Sequence, residues 1–251
     1  MTRTQFIDRV IAILNEAGIT EIEQVALLGA EAAQLDKHIE NGFAGAWSRL
    51  AQIVPLNWLN KKTGSKNVIE TDVSKGTGSV RLPDDFFALV RFRMSLWRKP
   101  VFSATPENEL VSVIQSNEYT QGSVIRPVCV ISTDTEIITD PDSPTGDSMT
   151  NIFNVLRYYS LPRGLSASQH SVSEFIYIPI VDRIDSPVIY RGENSPLELM
   201  PQFIEPLAYD VAANTAMIIG KPDIAAALEL RATGMIPGIR KAKALYGQTG
   251  N

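Results

Sequence analysis

One stripe of apolar residues constrains this chain more than any other feature. Between Glu21 and Ile53, the residues Val25, Leu28, Ala32, Leu35, Ile39, Phe43, Ala46, Leu50 and Ile53 recur at steps of three and four. That spacing keeps one stripe along one side of an α-helix. Unbroken, the helix would be a rod of roughly 50 Å at ~1.5 Å per residue, whereas an ordinary helix has about 11–12 residues. Long rods suit assemblies, where they line a channel or brace one subunit against the next. Gly29, Gly42 and Gly45 lie inside the stripe, each costing about 1 kcal/mol relative to alanine in a helix. Asn41-Gly42 is the expected place for a kink or break, and close helix–helix approach is the alternative meaning of these glycines. Pro55 ends the element.

A shorter helix precedes it. Phe6, Ile7, Val10, Ile13 and Leu14 give Thr4 to Glu16 an apolar face, and Gly18 supplies a stop. After Asn57 the pattern turns strand-like: Val68 to Val73, Ser79 to Pro83, Phe87 to Trp97, Val124 to Ile131, Glu136 to Thr139 and Phe153 to Tyr159. Arg98-Lys99-Pro100 reads as a hairpin connection to Val101-Phe102. Thr105-Pro106-Glu107 reads as a helix start with Thr105 as cap, and Leu110, Val113 and Ile114 as that helix's face. Asp140 to Asp147 is turn-dense, and Ser166 to Ser173 is polar. Phe175 to Val181 and Val188 to Tyr190 are β-prone patches. Helical spacing returns from Pro201 through Phe203, Ile204, Leu207, Ala208, Val211, Ala212 and Ala216. Gly220-Lys221-Pro222 breaks it, and Asp223 opens a last helix. The fold class expected is therefore α+β: a helical bundle formed by the N- and C-terminal helices (1–56 and 197–251) with a β-rich insertion (57–196).

Composition sets the outer bounds. The chain has 251 residues, enough for a full core. Its net charge is −5, whereas a protein that grips phosphates normally carries a basic excess. No apolar run reaches the ~18 residues needed to cross a membrane. Asp8 and Glu16 interrupt the N-terminal apolar residues, so no signal peptide is expected. One cysteine, Cys129, excludes an intrachain disulfide framework and reads as a buried strand residue.

Candidate chemistry resolves into bland elements. Gly76-Thr77-Gly78-Ser79 and Gly220-Lys221 lack the spacing of a phosphate loop or dinucleotide fingerprint and read as turns. Asp140, Asp142 and Asp147 lack the regular spacing and closing glutamate of a calcium loop. His38 and His170, with Cys129, give no zinc pattern. His38 lies off the stripe, at a surface or interface, and His170 stands among serines. No Gly-x-Ser-x-Gly elbow is present. Trp47 and Trp58 read as core anchors. Stacking of Trp47, Trp58 and Trp97 on nucleic acid would also need a basic groove. No catalytic residue, cofactor site or metal site is predicted.

Three stretches together carry a resemblance. Ser79-Val80-Arg81-Leu82-Pro83-Asp84-Asp85-Phe86 leads into Val90-Arg91-Phe92-Arg93-Met94. Asn117-Glu118-Tyr119 precedes Ile125-Arg126-Pro127-Val128-Cys129-Val130-Ile131. Asn154-Val155-Leu156-Arg157-Tyr158-Tyr159-Ser160-Leu161-Pro162 follows, before the C-terminal helices with Ala208, Ala212 and Ala213. This order resembles head–tail adaptor (connector or ring) proteins of tailed bacteriophages, of the podovirus tail-tubular or crAss-like type, from about residue 20 onward. The resemblance implies a helical bundle with a β-rich insertion and a homo-oligomeric ring of about twelve copies beneath the portal protein. It further implies a tail or second ring protein below, and DNA passing through the lumen without sequence-specific binding. The expected place is the head–tail junction of the virion, with synthesis in the bacterial host cytoplasm. A portal contact is expected from a C-terminal arm at Arg240, Lys241, Lys243 and Tyr246, with terminal disorder of the polar stretch from Lys241 to Asn251 as the alternative reading. The segment from Ser166 to Pro196 is longer than the resemblance leads one to expect, a place for another protein to dock. The rivals are a tail-tube or minor head protein, a peptide- or glycan-binding module that attaches tail fibres, and, third, an enzyme.

Overall fold

The computed structural model describes residues 1–19, 33–115, 117, 119–139, 148–184 and 201–236. The chain is α+β, with five α-helices and two sheets among the described residues. It divides into two compact units. One joins Met1–Asn60 to Ile180–Asn251, and the other is Lys61–Pro179.

In the first unit, helix α1 (Arg3–Glu16) opens with a capping box. Gln5 N–H donates to Thr2 Oγ1 at 3.3 Å, and Thr2 N–H donates to Gln5 Oε1 at 2.9 Å. Gly18, at φ +88°, provides the left-handed residue that stops it. Helix α2 (Ala33–Ile53) carries the second part of the long stripe; residues 20–32, with Val25, Leu28, Gly29 and Ala32, lie outside the described residues. Leu35, Ile39, Phe43, Ala46 and Leu50 are buried, while Ile53 is exposed.

The break expected at Asn41-Gly42 does not occur, since α2 continues through these residues. Gly42 instead faces helix α4 (Pro201–Ile218), where a Cβ would stand 3.4 Å from the Cβ of Asn214. The absent side chain lets two helices approach, and their packing outweighs the low helix propensity of glycine. Phe6 of α1 meets Phe43 of α2 edge-on at 5.8 Å. Arg9 forks onto Glu205 of α4 with contacts of 3.0 to 3.2 Å. Gly220 (φ +78°) ends α4, and Pro222 starts helix α5 (Pro222–Met235) at a position where its missing N–H is not needed.

The second unit has a three-stranded sheet, β1-β8-β4, and a five-stranded sheet, β2-β3-β7-β6-β5. The strands are β1 (Lys62–Thr63), β2 (Val68–Asp72), β3 (Thr77–Arg81), β4 (Phe86–Met94), β5 (Thr105–Pro106), β6 (Cys129–Thr139), β7 (Ser148–Tyr158) and β8 (Val172–Pro179). Both sheets feed one core. Val80, Leu156, Tyr158 and Cys129 come from one, and Phe92, Met94, Phe175 and Tyr177 from the other. Trp97 sits within this core and donates Nε1–H to the Ser160 carbonyl at 3.1 Å. As expected, Cys129 is buried in a strand, and burial pushes its thiol pKa well up.

Four expectations change here. The strands expected at Val124–Ile131 and Glu136–Thr139 are one strand, β6, beginning at Cys129; pairing with β7 in unbroken register carries the polar run Ser132 to Thr135 through the ladder. Thr105 and Pro106 do not start a helix. They form β5, a parallel edge strand on β6, where a residue without an N–H is tolerated. Helix α3 (Leu110–Gln115) begins later, so helices are spread through the chain and not confined to its ends. Its expected apolar face is also reversed. Leu110 and Val113 are 74% and 62% exposed, and the buried residue is Gln115.

Asp140, Asp142 and Asp147, the patch Val188 to Tyr190, the docking stretch beyond residue 184 and the contact residues Arg240, Lys241, Lys243 and Tyr246 all lie outside the described residues. No helix among the described residues is long and apolar enough to cross a membrane.

Candidate functional site

A hollow of about 490 Å³ on the second unit opens beside the β2–β3 hairpin. Its volume falls within the range of small-ligand pockets, roughly 300–1,000 Å³. The hairpin is built by Asp72, whose Oδ1 accepts from the N–H groups of Ser74 at 3.1 Å and Lys75 at 3.2 Å. The carbonyl of Asp72 accepts from Gly76 N–H at 2.9 Å. Hydrogen bonds from Ser74, and then Lys75, hold the Asp72 carboxyl below its ordinary value against a smaller opposing effect of burial. Gly76 has φ +68°, and a Cβ there would run into the carbonyl oxygen of Leu161. Gly78 lacks a side chain because the Tyr158 hydroxyl and the Glu70 carbonyl occupy the place of one. Gly76-Thr77-Gly78-Ser79 is thus a hairpin turn and strand start. Its backbone serves β pairing, with Thr77 and Gly78 matched to Asp72 and Thr71.

Alternation along β3 and β7 puts the floor of the cleft in place. Val80 and Leu156 point into the core, so Ser79 and Arg157 stand on the opposite face, directly across from each other in register. Glu70 stands across from Ser79 on the other side. Ser79 is fully buried, and among the described residues its Oγ has no hydrogen-bond partner; Arg157 Nε is likewise shielded and unpartnered among them. The guanidinium Nη2 lies 3.9 Å from Asp134 Oδ2. Burial raises the Tyr159 phenol pKa, and the positive charge and hydrogen bond of Arg157 partly oppose that rise. Gln121 Nε2 donates to the Lys75 carbonyl at 3.0 Å, and Gln115 Oε1 accepts from Gly122 N–H at 2.7 Å. Both amides hold the far wall. Among the described residues, no base is hydrogen-bonded to the Ser79 hydroxyl.

The remaining sequence candidates are dispersed. His170, which stands among serines in the sequence, is 4% exposed, and its Nδ1 is 2.9 Å from the Tyr158 hydroxyl. A short 3₁₀ turn (Ala167–Gln169), capped by Ser166, aims it inward. His38 is half-buried on α2. Trp47 is buried, and Trp58 packs against Phe203 at 5.6 Å, so both anchor the first unit as expected. Gly220-Lys221 is the α4–α5 turn. A second hollow, of about 80 Å³ beside Arg49 and Asp210, holds no more than a few waters.

Sequence reading missed Ser79, Arg157 and Tyr159 as a group. The available signal was an arginine two residues from Val155 and two from Tyr159, hence on one face of a strand. Ser79 lies 78 residues away in the sequence, and only strand pairing joins the two. No protein-family model matches the chain, and no curated protein matches it in sequence.

Proposed function

We propose that this protein is a non-enzymatic structural component of a phage virion, an adaptor ring of about twelve copies that joins portal to tail. On this reading the helices of the two chain ends form the bundle that holds ring and portal contacts. The strand-rich part contacts tail components, and a mildly acidic lumen lets DNA slide through, since nothing grips the phosphates. Arg240, Lys241, Lys243 and Tyr246 contact the portal. The observation that supports the reading most is the division of the chain, in which Met1–Asn60 and Ile180–Asn251 form one unit and the three resembling stretches lie in or beside the other. The charge of −5 agrees with a conduit that does not bind DNA tightly.

The test is negative-stain imaging of the purified protein, alone and mixed with the portal protein from the same source. Rings of about twelve subunits in either sample are the expected result. A monomer that ignores the portal overturns the proposal. A second reading, a binding module that attaches another tail protein, is favoured by the cleft at Ser79 and Arg157 and predicts a small oligomer with one ligand per chain.

A further inference from the structure

We propose that the cleft beside the β2–β3 hairpin binds a carboxylate on a ligand that also carries a cationic group. This inference does not rest on the ring reading. It begins with two buried atoms on the cleft floor, Ser79 Oγ and Arg157 Nε, neither of which has a hydrogen-bond partner among the described residues. A guanidinium nitrogen only donates, and a serine hydroxyl donates freely. The group that satisfies both is therefore an acceptor. Ser79 and Arg157 are paired across β3 and β7, where neighbouring strands run about 4.8 Å apart. A two-oxygen group bridges that gap, one oxygen to each donor.

The charges around the cleft choose among anions. Lys75 is held 3.3 Å from Asp72, and Asp134 already lies near Arg157, so the positive charge left over is small. Glu70 and Asp72 on β2 repel a multiply charged phosphate. One carboxylate fits that balance. Glu70 is exposed, stands across from Ser79 in register and has no ion pair among the described residues. It favours an ammonium or guanidinium on the same ligand, roughly two strand spacings, about 10 Å, from Arg157. A small amino acid with separated charges has this chemistry, and so does a partner segment with neighbouring acidic and basic side chains.

Titration of the isotope-labelled full chain with ε-aminocaproate, caproate, inorganic phosphate and the capped peptide acetyl-Glu-Gly-Lys-amide tests the assignment by amide chemical shifts. Saturable shifts at Gly78 and Ser79 are expected with ε-aminocaproate, and binding several-fold weaker with caproate or phosphate. Arg157→Gln should weaken every carboxylate probe by about tenfold. Glu70→Gln, a change at an exposed side chain, should bring ε-aminocaproate down to the level of caproate while leaving caproate no weaker. Tighter binding of the peptide identifies a protein segment as the ligand; tighter ε-aminocaproate identifies a small molecule. The proposal falls if no probe gives saturable shifts at Gly78 and Ser79 up to roughly 50 mM, weaker than about 2 kcal/mol of binding. It also falls if phosphate binds best, or if the Glu70 variant does not discriminate.

Discussion

Asn214 donates its side-chain amide to the carbonyl of Gly42 at 3.1 Å, joining two helices across 172 residues of sequence. The same side chain accepts from Arg49 Nη2 at 2.8 Å through its Oδ1. A hydrogen bond to a carbonyl already inside a helix is possible because Gly42 presents no side chain there. The contact accounts for a glycine in mid-helix that does not break it.

Substitution at Gly42 should therefore depend on size. In Gly42→Ala the added carbon meets the Cβ of Asn214 at 3.4 Å, an ordinary contact, and helix propensity improves by up to about 1 kcal/mol. Gly42→Leu has no room and should cost about 1–3 kcal/mol. Urea denaturation separates the two. Equal loss from both variants would show that the helices are not this close.

Arg49 forks onto Asp210, Nε to Oδ2 at 3.1 Å and Nη2 to Oδ1 at 3.0 Å. Burial nevertheless raises the Asp210 pKa above its ordinary value, with Arg49 opposing and Glu229 adding to the rise. A raised carboxyl pKa means that the folded chain holds this proton more tightly than the unfolded chain. The site's contribution is greatest below the unfolded value and is lost as pH rises through the folded one. At neutral pH, Asp210→Asn should change stability by less than about 1 kcal/mol, whereas Arg49→Ala, which strands the carboxylate, should cost about 1–2 kcal/mol. Chemical denaturation at pH 7 and pH 4 checks the order, and a larger loss from Asp210→Asn than from Arg49→Ala contradicts it.

Burial lowers the His170 pKa below its ordinary value of 6.5. The neutral ring is thus favoured in the folded chain. Stability from this site is fully present above the unfolded pKa and is lost as pH falls through the folded one. The unfolding temperature of the second unit should decline on acidification from about pH 6.5. His170→Gln, which keeps a hydrogen-bonding partner for Tyr158, should flatten that limb. Thermal melts from pH 7.5 to pH 5 provide the comparison, and an unchanged slope in the variant would assign the decline to other groups.

Gly76 and Gly164 share a left-handed backbone, at φ +68° and +77°, but not their surroundings. A Cβ on Gly164 meets nothing within 4 Å, whereas one on Gly76 collides with the Leu161 backbone. Gly164→Ala should cost about 1–2 kcal/mol from conformation alone. Gly76→Ala should cost more, and should also loosen the hairpin edge of the cleft. Amide exchange at Thr77 and Gly78 measures the second effect. Equal costs would mean that the hairpin shifts to accommodate the methyl group.

Local chemistry determined much of this protein directly from its sequence. The three-and-four spacing of Leu35, Ile39, Phe43, Ala46 and Leu50 required a helix with one buried side, and those residues are buried. The lone cysteine in an apolar run required a strand interior, where Cys129 lies. These properties depend on residues a few positions apart, which a periodic backbone brings together by itself. Tertiary structure decided what rests on distant pairs. Leu110 and Val113 have helical spacing, yet no surface among the described residues turns them inward, and the buried Gln115 accepts a hydrogen bond from Gly122 N–H. Ser132 to Thr135 are too polar to announce a strand, but the β7 ladder holds them in one. His170 stands among serines in the sequence and under the Tyr158 hydroxyl in the fold. The cleft is the clearest case, because Ser79 and Arg157 become a site only when β3 and β7 pair in that register. A slip of one residue would turn Arg157 into the core.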